Sequence, residues 1–585
     1  MSLSDYKKKE LRQHIYDTPD TYVGGVDLIE DKLPVYEDGK IVDKTITYIP
    51  AIYSIYNEIL VNVRDQIVRL IQNKSKNRVT IVKIDYDSDT KMWTIHNDGE
   101  GIDIADHPTE KTDDGKSVNI VEMIFGMLLT SKNYDKDEKK IVGGKNGYGA
   151  KLTNIFSTYF RIETVDETRK LKYIQEFRNN MTEKSPGKIS KSKSKSYTRV
   201  SWIVDFERFG IKDYGDDMMK LMMRRIYDIC GTTPSDVKFY YNRILIKLNS
   251  FDKYIQLYLN DEKIVYFDVN GRWRVGVATG LTDRFEHYSF VNGISTFKGG
   301  KHVDYITKQI ITGIIEYVKK KYKTDINPSY VKNYMKIFID SIIENPSFDS
   351  QTKERLITPA PKFGSKCVID EKMIKKIIDG TDIVDKTLSF AEFKLNKEAK
   401  KTNGAKVNKL RNIPKLDDAN FAGTKKSQEC TLILTEGDSA KTMAISGLSV
   451  IGRDTYGVFP LKGKILNVKE ATKKQIMGNT ELINIKKIMG LVEGKTYKDT
   501  KSLRYGHIMI LTDQDHDGSH IKGLLINLFH TLWPSLLQIP DFIICMITPI
   551  VKCVNKTKVE MFYNLTDYET WKSNKTSNKW KTKYY

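Results

Sequence analysis

The stretch "LTDQDHDGSH", residues 511–520, places Asp513, Asp515 and Asp517 on alternate positions after the apolar run "HIMIL" (507–511). If that run is a strand, alternate side chains share a face and the three carboxylates fall within about 7 Å of one another. Carboxylates that close raise one another's pKa unless a cation lies between them. A turn, with Ser519 capping the next helix, would account for one or two acids. Three in register favour a divalent metal. "DQDHDG" also opens like an EF-hand loop, but Leu524 stands where the bidentate Glu belongs. The amphipathic run "HIKGLLINLFHTLW" (520–533) follows, so strand, acids and helix predict a parallel α/β sheet. A second run, "CTLILTEGDSAK" (430–441), sets Glu436 at the carboxyl end of another strand. In a parallel sheet it can face Asp513 and Asp515 across the crevice where such sheets bind ligands.

The rest of the chain bounds this reading. Its 585 residues are too many for one core, and the length prior suggests roughly three or four domains. A net charge of +20 favours a polyanionic partner. Five scattered cysteines form no CxxC pair, which argues against a disulfide frame or zinc site and for a reducing compartment. "MSLSDYKKKELRQH" is not a signal peptide, and "FIICMITPIV" is too short to span a bilayer. Lysine is concentrated in "EKSPGKISKSKSKSYTR" (183–199), read as an exposed loop between strands, in "YVKKKYK" (317–323) after a helix, and in a basic connector, 393–415. Such runs suit either a solvated face or phosphate contacts.

The first 150 residues suggest a nucleotide pocket. In "AIYSIYNEILVNVRDQIVRLI" (51–71) the apolar residues at 55, 59, 63 and 67 predict a buried helix face. Glu58, Asn62, Asp65 and Arg69 recur at helical spacing on another face. Asn is a poor mid-helix residue. A glutamate that activates water beside an amide that ligates magnesium gives Asn62 a reason. "KMWTIHNDGEGI" is an alternating strand that breaks at Asn97-Asp98-Gly99. "VGGKNGYGAKLTNIF" sets Gly143, Gly144, Gly147 and Gly149 ahead of Lys151 and a helix. Glycines let backbone amides approach phosphate, and a helix N-terminus favours negative charge. The spacing fits neither a Walker A loop nor a Rossmann fingerprint.

Glu-xxx-Asn, NDGxG and GxxGxG in this order resemble the GHKL-type ATP fold of gyrase, some chaperones, sensor kinases and mismatch-repair ATPases. The chain is identified more narrowly as resembling the eukaryotic-type DNA topoisomerase II (type IIA) family. The motifs run its whole length: "TPDTYVGG", "NEILVN", "NDGEGI", "IFGMLLTSKNYD", "GGKNGYGAKL", "SFVNGISTFKGGKHVDY", "ENPSFDSQTKE", "LILTEGDSAK", "GVFPLKGKILNV" and "TDQDHDGSHIKGLLIN".

The resemblance implies ATP and Mg²⁺ as cofactors, with Glu58 the general base for ATP hydrolysis, Asn62 the magnesium-holding amide and Asn97 a contact to adenine. Ser131, Lys132 and Asn133 correspond to a ribose and phosphate segment. Gly144, Lys145, Asn146, Gly147, Tyr148, Gly149, Ala150 and Lys151 correspond to the loop around the triphosphate. Gln351, Thr352 and Lys353 of "SQTKE" would reach in from the second domain, with Lys353 at the γ-phosphate. A lysine on a mobile domain stabilises transferring charge and links nucleotide state to domain position. Glu436, Asp513 and Asp515 would hold Mg²⁺, with Asp517 near a second ion. Lys319, Lys320, Lys321, Lys464 and Asn467 would contact DNA. The sequence departs from the family's usual residues at Thr18, Val63, Lys132 and Lys145.

The implied architecture is α/β and α+β multidomain. A GHKL ATPase α/β sandwich with an N-terminal strap occupies 1–240, a transducer of ribosomal-S5-like fold 241–405, a basic linker 406–427, and a partial parallel α/β TOPRIM domain 428–585. The implied function is ATP-dependent double-strand passage, relaxing and decatenating DNA. It would use double-stranded DNA, a homodimer formed on ATP binding, and a C-terminal portion carrying the tyrosine nucleophile. Since the chain stops at "KWKTKYY", it is expected to be an N-terminal piece or one part of a split enzyme, with ATPase but no strand passage alone. The rival readings are a different GHKL ATPase and a GHKL clamp that acts on DNA without cleavage. The expected location is the nucleus if the source is cellular, or host cytoplasm or virion if it is a large DNA virus; no membrane is expected.

Overall fold

The computed structural model describes residues 8–111, 115–130, 140–143, 147–282, 284–410, 413–513, 515–574 and 580–584. The chain divides into two compact units, residues 1–388 and 389–585. Among the described residues, no helix is long and apolar enough to cross a membrane.

The first unit holds two large sheets and two two-stranded ones, Ile29–Glu37 with Lys40–Tyr48 and Asp106–Lys111 with Ser117–Asn119. The larger has nine strands in the order Lys188–Lys191, Leu171–Arg178, Ser157–Asp166, Tyr197–Val204, Met92–Asp98, Ile81–Asp87, Lys238–Tyr241 and Ile244–Leu245, with Glu183–Lys184 added beside Leu171–Arg178. Neighbours pair antiparallel except Lys238–Tyr241, which runs parallel to Ile81–Asp87. The helix Pro50–Gln72 starts with Pro at its first position, where the missing N–H costs nothing. Its Ile55, Ile59, Val63 and Ile67 are buried in the core, as their spacing predicts. Trp93, Trp202 and Tyr56 pack in that core as an aromatic group. The Lys/Ser run 183–199 is not simply a loop. Lys188–Lys191 extends the sheet by pairing with Leu171–Ile174, because alternate residues still meet the edge strand's free backbone groups.

The second sheet runs Ile264–Val269, Trp273–Thr279, Met335–Ser341, Glu286–Val291, Ile294–Ser295. The helix Lys301–Tyr322 packs Val303, Ile306, Ile310, Ile314 and Val318 into that domain's separate core. The helix continues through the lysine run, so Lys319, Lys320 and Lys321 form its last turn rather than a following loop. Three cations there meet the partial negative charge of the helix C-terminus, which stabilises the extra turn.

The second unit contains the expected parallel sheet, in the order Tyr456–Leu461, Thr431–Glu436, His507–Leu511, Ile543–Cys545. A three-stranded antiparallel sheet follows, Lys558–Phe562, Val551–Asn555 and Lys581–Tyr584. Residues 406–427, expected to be a linker, are part of this unit. Ala419 and Ala422 are buried in its core and Asp417 bridges to Val458. The Asp418 carboxylate accepts from Arg504 and Tyr505. Apolar residues spaced among the lysines (Leu410, Ile413, Leu416, Phe421) fix the segment by packing on that core.

Candidate nucleotide pocket and acidic crevice

A cavity of about 900 Å³ opens in the first unit beside the helix Pro50–Gln72. That volume is within the range that encloses a ligand of nucleotide size. Asn62, Asn97, Gly147, Tyr148, Gly149, Ala150, Lys151, Gln351 and Lys353 all line it. These residues come from distant parts of the chain, and the fold brings them to one cavity. Asn97 ends a strand whose inward positions are Trp93 and Ile95, so its amide continues the buried face into the cavity. Asp98 points the other way and accepts from the backbone N–H groups of Thr80 (2.7 Å) and Ile81 (2.8 Å).

Glu58 is buried at 6% exposure, and its Oε1 accepts from Lys353 Nζ at 2.9 Å across 295 residues of sequence. Lys353 is equally buried and adopts a left-handed backbone, φ 61°. Gly149 opens the helix Gly149–Ile155, and a Cβ there would sit 2.4 Å from Glu58 Oε2. Only glycine lets the start of this helix approach the carboxylate so closely. Lys151, in the helix's first turn, is buried at 3% exposure. It donates to Thr130 O (2.8 Å), Thr130 Oγ1 (2.7 Å) and Gly147 O (2.8 Å). Burial lowers its pKa to about 8, since carbonyl and hydroxyl oxygens replace solvating water only in part.

Thr352 does not line the cavity. Its hydroxyl bonds Ser350 and its methyl faces Gly24. Ser131, Lys132, Asn133, Gly144, Lys145 and Asn146 lie outside the described residues. Two residues escaped assignment from sequence. Thr130 holds the Lys151 ammonium, and no local pattern marks it. Asp65 accepts from Gly143 N at 2.8 Å and so braces the glycine-rich segment. Its place in the Glu58–Asn62–Asp65–Arg69 series was the available signal.

The acidic crevice in the second unit differs from the expectation in one respect. The strand ends at Leu511, so Asp513, Asp515 and Asp517 do not alternate along it. Asp515 is instead the N-cap of the helix His516–Leu532, its Oδ1 accepting from Gly518 N at 2.7 Å. That bond satisfies an orphan helix N–H and bends the chain out of the strand. Ser519, the cap expected if the acids marked a turn, lies inside the helix and donates to Asp515 O at 2.9 Å. Asp517, in the first turn, pairs with Lys464 Nζ at 3.0 Å, and this lowers its pKa. Asn467 Oδ1 accepts from Asn527 Nδ2 at 2.7 Å, tying the segment after Lys464 to the same helix.

Parallel pairing of Thr431–Thr435 with His507–Leu511 brings Glu436 to the same sheet end as these acids. Burial, then Asp515, Asp513 and Asp517, raise the Glu436 pKa. Its Oε2 is buried, without a hydrogen-bond partner among the described residues. Among the described residues no three acids form a ready-made metal cage. The buried oxygen of Glu436 faces like charges, which raises the cost of its ionised form.

A DNA gyrase B family model matches residues 241–405, a Toprim domain model 431–544, and a model for the C-terminal associated domain of TOPRIM 546–585. The ATPase region of Saccharomyces cerevisiae topoisomerase II superposes with a TM-score of 0.61 at 40% identity, covering 67% of this chain and 100% of that one. The chain belongs to the type II DNA topoisomerases. DNA topoisomerase 2 of Pisum sativum is 47% identical over 99% of this chain and 40% of its own length. DNA topoisomerase 2-alpha of Homo sapiens is 46% identical over 99% and 38%. The chain thus spans about two fifths of the length of these topoisomerases.

Proposed function

We propose that this chain supplies the nucleotide-driven and metal-holding parts of an ATP-dependent type II topoisomerase that acts on duplex DNA as a homodimer. Joined to a domain carrying a tyrosine nucleophile, it would break one duplex, pass another and reseal the first. The observation that carries this reading is Glu58, buried beside Gly149 and paired with Lys353 of the neighbouring sheet domain. Glu58 would accept the proton of an attacking water, and Lys353 would move from the carboxylate to the γ-phosphate, where it would offset developing charge. Lys151 and the amides that open the helix at Gly149 would hold the phosphates, and Asn97 the base. Asn62 would hold Mg²⁺ beside the triphosphate. At the acidic crevice Glu436, Asp513 and Asp515, with Asp517 close by, would hold Mg²⁺, which when bound offsets charge on the scissile phosphate and the leaving 3′ oxygen. Lys464 and Asn467 would meet the DNA backbone there. Its work would lie in the nucleus of a cellular source, or in host cytoplasm or virion if the source is a large DNA virus.

The test is ATP turnover and sedimentation of residues 1–585. Hydrolysis stimulated by duplex DNA, with dimers formed on a non-hydrolysable ATP analogue, is expected, because clamp closure around a duplex calls for two-fold symmetry. A monomer with the analogue bound, or turnover indifferent to DNA, would overturn the proposal. Supplying a tyrosine-bearing C-terminal portion should confer ATP-dependent relaxation.

A further inference from the structure

We propose that Asn345 is a positioning residue that fastens the stem of the glycine-rich nucleotide loop to the sheet domain carrying Lys353. The inference rests on reading the cavity as an ATP site. The stem, residues 140–143, is held from both sides. From the long helix, Asp65 Oδ1 accepts from Gly143 N at 2.8 Å. From the sheet domain, Asn345 N donates to Lys140 O at 2.8 Å, and Asn345 Oδ1 accepts from Lys140 N at 3.2 Å. The side chain and backbone of one residue thereby copy the reciprocal pairing of two strands. Below it Asn292 is fully buried. Its Oδ1 accepts from Ile343 N at 2.9 Å, and its Nδ2 donates to Ile343 O at 2.9 Å and Val142 O at 3.5 Å. Gly143 passes so close that a Cβ would lie 2.9 Å from both Val61 and Ile294.

Both asparagines adopt left-handed backbone, φ 45° at Asn345 and 51° at Asn292. Asn tolerates that region better than most residues. The bland explanation is therefore two tight turns that happen to adjoin the stem. Two features go beyond it. The bonds of Asn345 run to a segment 205 residues away rather than closing its own turn. The same stretch then continues to Lys353, which reaches Glu58. One segment of the sheet domain thus grips the pocket at two points, the loop stem and the base. A shift of this segment that withdraws Lys353 would draw on the loop as well, so nucleotide release and loss of the lysine become one event.

The decisive variants are Asn345→Gly, which keeps the left-handed backbone but removes the side-chain acceptor, and Asn345→Asp, which keeps the acceptor. Asn345 is exposed, so neither change threatens the core. The readouts are the dissociation rate of a fluorescent non-hydrolysable ATP analogue by stopped flow, and KM and kcat for ATP. Loss of one hydrogen bond should speed release and raise KM about three- to tenfold, with kcat within about twofold of wild type. Asn345→Asp should restore both. Release as slow in Asn345→Gly as in wild type, or Asn345→Asp as impaired as Asn345→Gly, would overturn the inference while leaving the ATP site intact. A wild-type chain that binds no analogue would remove both readings.

Discussion

The two sites manage charge in opposite ways. In the nucleotide pocket the two buried ionic groups Glu58 and Lys151 have partners: Glu58 takes Lys353, and Lys151 takes three oxygens. In the acidic crevice like charges gather at the ends of a sheet and a helix, Lys464 offsets Asp517, and one oxygen of Glu436 has no partner among the described residues. The first site is organised before anything binds and is suited to polarise a substrate. The second is built around repulsion that a cation would relieve. The contrast shows that a carboxylate can be paired with a distant cation by the fold or left facing like charges.

The contrast can be broken experimentally. The largest effect is expected at Glu58. Glu58→Ala should lower ATP turnover about 10²–10⁴-fold while leaving nucleotide binding nearly intact, as a coupled hydrolysis assay and analogue titration would show; wild-type turnover would end its role as base. Next is Asp513→Asn. It should weaken Mg²⁺ binding by the second unit about tenfold or more, since even indirect partners of a metal contribute that much. Titration calorimetry against wild type would measure it, and unchanged affinity would remove the metal reading. In an enzyme completed with the tyrosine domain, the same change should abolish DNA cleavage.

Lys151 sharpens the other half of the comparison. Its folded-state pKa, about 8, lies below the ordinary 10.5, so the fold favours the neutral amine. Its contribution to stability is therefore present above the unfolded value and lost as pH falls through about 8. Nucleotide affinity should run the opposite way, because only the ammonium attracts phosphate. Binding should be tightest below pH 8 and weaken as pH rises towards 9.5. Lys151→Arg should flatten that profile, and a flat wild-type profile would refute the assignment. The smallest effect is expected at the last turn of the helix Lys301–Tyr322. Lys319 already pairs with Asp325 and Lys321 with Tyr317. Changing Lys319, Lys320 and Lys321 to Ala should lower the log–log salt slope of DNA-stimulated ATPase by about 0.9 for each phosphate no longer neutralised. An unchanged slope would confine these lysines to capping the helix.

Much of this was legible in the sequence where the signal is local. The spacing of Ile55, Ile59, Val63 and Ile67 predicts the helix face that is buried, and the apolar runs before Glu436 and Asp513 predict the parallel strands. The three aspartates misled because alternation is a pattern of strands. The bond from Asp515 to Gly518 N replaced it with a helix start. Lys353 was nameable through family resemblance, and its own neighbourhood reads as an ordinary surface loop. Thr130, Asp65 and Asn345 act through contacts to Lys151, Gly143 and Lys140, and no propensity or period records which distant backbone atom a side chain will meet. Residues 406–427 read as a linker because five lysines are interspersed with the apolar residues that anchor the segment, which breaks any helical or strand period.

The pairing of Glu58 with Lys353 also orders events in time. The two residues are 295 positions apart, and ribosomes add roughly 5–20 residues per second, so the lysine follows the glutamate by roughly 15–60 s. A nascent chain would carry the nucleotide helix for that interval with no cation at the base. Hydrolysis would be held back until the second sheet domain emerged, and an unfinished clamp would not consume ATP. Chains stalled before and after residue 353 on the ribosome would report this in a single-turnover assay, and equal hydrolysis by the two would contradict it.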